Sequence, residues 1–163
     1  MRSSERCARS KVCRRPFERR RTSSRCYQLR KVIVSLHVAT GAAAGAASGS
    51  RVRALLLGPI LHLAGDRVPH EDIGSRRFEI GSGLVCLALL AARRGVLDPA
   101  TLGAAASSAP DLEHVFPSVR PGGRKLFHGR GGWHRSGRFP TEVQLLLAGA
   151  TIGALVAPRR SKA

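Results

Sequence analysis

Aromatic side chains are nearly missing from this chain: one Trp, one Tyr and five Phe among 163 residues. With so few, and with no recognisable reading motif, the body of the chain does not fit a nucleic-acid-binding domain. Acidic residues are also scarce, 10 against 28 Lys and Arg, which gives a formal charge of +18. Such an excess points to anionic partners before it points to any fold. Cysteine is limited to Cys7, Cys13, Cys26 and Cys86, at spacings that match no common zinc motif and form no CxxC pair. A disulfide framework is therefore not expected, and unpaired thiols in a reducing compartment are. Alternating strand-like runs are almost absent, which argues against a sheet.

The positive charge is unevenly spread. Residues 1–31 hold 12 of the 28 basic side chains but only Glu5 and Glu18 of the acidic ones. This leader has no apolar periodicity and is predicted to be disordered. Three readings stay open for it: a tail binding nucleic acid or anionic lipid, a targeting segment, or translation from upstream of the true start. Met1 is the only methionine, and Val32 or Val34 would suit an alternative bacterial start codon. The expected organisation is a basic leader over 1–31, a helical domain over 32–158 and a basic tail over 159–163.

From Val32 the chain is rich in Ala, Leu and Gly. Gly41, Gly45 and Gly49 repeat every four residues, a spacing that lets a neighbouring helix backbone come close. Further apolar segments cover residues 54–64, 80–92 and 141–158, and Asp98-Pro99 reads as a helix N-cap with a first-turn proline. Residues 117–140 are broken by Pro and Gly and read as a loop. The expected fold is all-α, a bundle of four or five short apolar helices. Several are apolar all round with arginines at their ends, which favours a membrane-embedded bundle over a compact one outside the bilayer.

Ionisable residues punctuate this apolar background in clusters. In His62-Leu-Ala-Gly-Asp66-Arg-Val-Pro-His70, metal-competent side chains recur every four residues, so that His62 and Asp66 share a helix face. Imidazole and carboxylate are the ligands that Zn²⁺ and neighbouring first-row ions take. A second cluster is Asp111-Leu-Glu113-His114, a third runs from His128 to His134, and His37 stands alone on the first helix. Helical bundles assemble metal sites by contributing one or two inward ligands from each helix. His62, Asp66, His70, Asp111, His114 and His37 are the candidate ligands. Glu113 is a candidate general base and His134 a further catalytic candidate. Arg130 and Arg135 are candidates for holding a substrate anion.

The order HLAGDRVPH, an apolar helix, PDLEHVFP and then a His-rich loop resembles a family of small bacterial predicted membrane-bound metal-dependent hydrolases. In that resemblance a helix-borne histidine corresponds to His37, an acidic segment to Pro110 through His114, and a later loop to His128 through Ser136. The His-x3-Asp-x3-His row is also similar to the helix motif of the zinc-dependent phospholipase C and P1-nuclease group. The loop departs from the family pattern, with its histidines six apart and no threonine before His134, and Glu113 stands where an aspartate is usual. The resemblance implies a divalent cofactor, zinc above all, in an inner-membrane protein with lipids around it and an amphiphilic or phosphoester substrate. A non-enzymatic membrane protein with structural polar residues is the rival, and nucleic-acid binding through the leader is the third.

Overall fold

The computed structural model describes residues 34–71, 73–116, 118, 120–128 and 137–158. The leader over 1–31 and the basic tail over 159–163 lie outside these residues. Within them the chain is helical: α1 (Val34–Ser48), α2 (Arg51–Gly65), α3 (Arg76–Arg94), α4 (Pro99–Ser108), the one-turn α5 (Leu112–Val115) and α6 (Thr141–Val156). The only pairing outside helices among the described residues is an isolated parallel bridge between His70 and Phe139.

Local signals start these helices where the sequence puts them. The Ser50 hydroxyl accepts from the Arg53 amide, and the Ser75 hydroxyl from that of Phe78. Asp98 caps α4 through the Ala100 amide at 2.8 Å, with Pro99 in the first turn. Each of these bonds satisfies a donor that a helix start leaves without a partner. At α6 no side chain plays this part; Pro140 occupies the cap position and Thr141 is already helical.

α1 is the central helix and packs against α2, α3, α4 and α6. Its contact with α4 is backbone on backbone. A Cβ on Gly41 would run into the Gly103 carbonyl, and one on Gly45 into the Pro99 carbonyl. Gly41 and Gly45 therefore bring α4 close, and Gly58 does the same for α2 against Ala106. Around this seam lies a core of small side chains, Val38, Ala42, Leu90, Ala100, Ala104, Ala148 and Ile152.

The all-α expectation agrees with this architecture, but its membrane-embedded form is overturned. No helix among the described residues is long and apolar enough to cross a membrane. A comfortable span takes about 20 apolar residues. α1 and α2 have 15 each and α6 has 16. α3 has 19, but Arg76, Arg77, Glu79, Arg93 and Arg94 lie within it. The transmembrane-helix and inner-membrane expectations fall with this finding. What suggested a membrane was small-residue helix faces, which the α1–α4 seam explains, together with outward apolar side chains such as Val52, Leu56, Ile60, Leu84 and Val85.

Candidate metal centre

His62 and Asp66 stand one turn apart at the end of α2, both fully buried, with Nε2 of His62 3.6 Å from Oδ2 of Asp66. α1 brings His37 against the other oxygen: Nε2 lies 3.2 Å from Oδ1 of Asp66. The His37 ring also packs on that of His62, with centroids 4.1 Å apart. Asp111 arrives on the tight turn Ala109–Asp111 that follows α4, and its Oδ1 is 3.7 Å from His62 Nε2. His128 completes the group from the loop before α6. Its Nε2 is 3.2 Å from that of His62, 3.3 Å from Asp66 Oδ2 and 3.7 Å from Asp111 Oδ1.

Each of the two carboxylates thus stands against both imidazoles, and the imidazoles against each other, at 3.2–3.7 Å. Ligand bonds of 2.0–2.1 Å in a tetrahedral shell put neighbouring ligand atoms about 3.3 Å apart. These five separations are close to those between neighbouring ligand atoms in such a shell. Two overlapping triads, His37 with His62 and Asp66, and His62 with Asp111 and His128, keep their ligand atoms within 4.8 Å of one another.

The electrostatics leave room for a cation. Neither oxygen of Asp111 has a hydrogen-bond partner, although the residue is buried. Burial, and then the charges of Asp66, Glu79 and Glu113, push its carboxyl well above the usual carboxylate range. Burial pushes Asp66 up, but the His128 and His37 rings against its oxygens outweigh it and hold that carboxyl well below its ordinary value. Burial and the nearby His37 lower His62 to about 3, so at neutral pH its ring is uncharged and keeps a lone pair for a ligand bond. A site with an uncharged His62 ring and, in Asp111, a carboxylate lacking any donor could hold a divalent ion.

Two carboxylates lie behind this shell. Glu113 accepts from the backbone amides of Leu126 and Phe127, the latter at 2.7 Å, and its Oε1 is 3.6 Å from Nδ1 of His128. It pins the loop that carries His128 and faces the far side of that ring. Metal-bound histidines are commonly held by a carboxylate in this way. Glu79, buried in the first turn of α3, adds its charge at Asp111.

The structure separates the sequence candidates. It brings together His37, His62, Asp66 and Asp111, with Glu113 beside them. His114 sits at the margin, its ring 4.2 Å from that of His128 and its Nδ1 3.1 Å from the Lys125 ammonium. Burial, and then His128 and Lys125, lower it to about 3. His70 stands apart from the group. α2 ends at Gly65, and His70 turns its Nδ1 to the Val68 carbonyl at 2.6 Å, next to Phe139. His134, Arg130 and Arg135 lie outside the described residues. Two residues were not singled out as ligands or supports: His128, visible only as one end of the loop cluster, and Glu79. For Glu79 the signal was present, a lone acid opening an otherwise apolar helix.

A helical bundle with a buried His/Asp centre is thus the class that the fold and the site define. The chain matches no protein-family model, no curated protein and no solved structure.

Proposed function

We propose that this chain is a divalent-metal-dependent hydrolase of an ester or phosphoester, with zinc the ion best suited to the ligands. His62, Asp66, Asp111 and His128 would hold the ion, while His37 and Glu113 orient Asp66 and His128. A bound divalent ion supplies Lewis acidity to a carbonyl or phosphoryl oxygen and makes water acidic enough to act as a nucleophile near neutral pH. Asp111 has to bind as a carboxylate, so ion uptake releases its proton. His62 enters already neutral and needs no proton transfer. His134 would serve the leaving group, and Arg130 and Arg135 would hold an anionic substrate.

The observation that supports this reading most is the Asp111 carboxylate, buried within ligand distance of two imidazoles and without a hydrogen-bond donor. The test uses the purified full chain with p-nitrophenyl esters and bis-p-nitrophenyl phosphate. Hydrolysis is expected to vanish on chelation, to return with added Zn²⁺ or Mn²⁺, and to fall at least about 100-fold in Asp66→Asn. Metal-loaded protein without activity on either class would leave a non-enzymatic bundle as the reading. Salt-dependent DNA binding that is lost on removing residues 1–31 would move attention to the leader.

A further inference from the structure

Beside the centre lies a cavity of about 330 Å³. Its walls are Leu36 of α1, Leu61 of α2, and Val68 and Phe139 from the two segments that meet at the bridge. Thr40 and Ala64, both exposed helix residues, also line it and form its solvent side. His37 is common to the cavity and the centre: its Nε2 faces Asp66 while its ring forms part of the cavity wall. Gly65 makes this arrangement fit, since a Cβ there would stand 3.0 Å from His37 Cε1 and 3.3 Å from Nδ1.

One polar group in this apolar space is left over. Gln144 of α6 lines the cavity and is fully buried. Its Nε2 donates to the Phe139 carbonyl at 2.8 Å and the Glu71 carbonyl at 3.1 Å, which fixes the orientation of the amide. Its Oε1 is buried and accepts from nothing. An acceptor in that position costs free energy until a donor reaches it. His70, also on the wall, is already committed through Nδ1 to Val68.

We propose that this cavity receives the apolar part of the substrate, a group of on the order of ten non-hydrogen atoms at roughly 30 Å³ each, carrying one N–H or O–H that donates to Gln144 Oε1. The proposal rests on the hydrolase reading for the word substrate, and it narrows that reading. A medium-length acylamino or hydroxyalkyl group fits; a full-length lipid chain exceeds the space.

N-hexylacetamide, with ten non-hydrogen atoms and one N–H, tests this without requiring turnover. Its N-methyl analogue keeps the apolar chain and removes the donor. Binding to the full chain is followed by ligand-observed NMR, with the metal content of the same samples measured in parallel. N-hexylacetamide is expected to bind about tenfold or more tightly than the analogue, because a site built around a buried acceptor rejects a ligand lacking the donor. Ala64→Trp, a change at an exposed helix position, is expected to abolish binding and leave metal content unchanged. Equal affinity for the two amides, or undiminished binding to folded Ala64→Trp, would overturn the proposal. Donor-selective binding to a protein that takes up no metal would remove the hydrolase reading and leave the cavity assignment standing. Metal uptake with no binding of either amide would do the reverse.

Discussion

Asp111→Asn should make the metal-free protein more stable and the metal-loaded protein less responsive to metal. In the metal-free state the Asp111 carboxyl is buried, lacks a hydrogen-bond donor and faces the charges of Asp66, Glu79 and Glu113. An unsatisfied buried polar group costs about 1–3 kcal/mol, more where it is charged. Asparagine keeps the shape and removes the cost of holding an acid protonated there, so a gain of about 1–2 kcal/mol is expected. For a chain of this size that raises the melting temperature by roughly 2–8 °C. With metal the sign reverses. At free metal a hundredfold above Kd, binding stabilises the wild type by about 2.7 kcal/mol. A hundredfold loss of affinity leaves only about 0.4 kcal/mol of that. Scanning calorimetry with chelator and with Zn²⁺ measures both quantities on the same two proteins. A metal-free Asp111→Asn that melts below wild type, or one that keeps the full metal shift, would refute the reasoning.

Gly65→Ala should gain up to about 1 kcal/mol in helix propensity yet weaken metal binding several-fold, because the new Cβ crowds His37 at 3.0 Å; metal titration against a chelator of known affinity reads this. Gly41→Ala should cost about 1–3 kcal/mol in urea denaturation, since α1 and α4 must part to admit the methyl group against the Gly103 carbonyl. Acid should destabilise the metal-free chain. His62 titrates near 3 when folded against an ordinary 6.5, so the unfolded chain binds more protons between those values and stability falls as pH drops through the window. His114 acts in the same direction. Asp111, raised in the fold, opposes them above its ordinary value of 3.8. Each proton is worth about 1.4 kcal/mol per pH unit, so urea midpoints between pH 6.5 and 4.5 should fall more steeply in Asp111→Asn than in wild type.

Part of this site was legible in the sequence because it depends on helical spacing alone. His62 and Asp66 share a face one turn apart, and the apolar run before them made a helix certain enough to place both. Continuing the row to His70 was not justified by the same rule. Pro69 disfavours the helical region for Val68, and the helix ends at Gly65. The convergence of His37, Asp111 and His128 on that pair was not legible. It depends on α4 meeting α1 and α2 at glycine seams, and on Glu113 tying down the loop through two backbone amides. These are long-range contacts with no periodic signature. The membrane expectation failed for a related reason. Small residues let backbones approach in lipid and in water alike, so the Gly41–Gly45 stripe could report close packing but not the solvent around it.

The central claim is that His62, Asp66, Asp111 and His128 form one coordination shell. X-ray absorption at the zinc edge of the stoichiometric complex tests it most directly. One zinc per chain is expected, with two imidazole nitrogens and two or more oxygens at about 2.0–2.1 Å, and the imidazole signal is expected to be lost in His62→Ala with His128→Ala. A shell without imidazole, or uptake below half an equivalent that is indifferent to these substitutions, would contradict it.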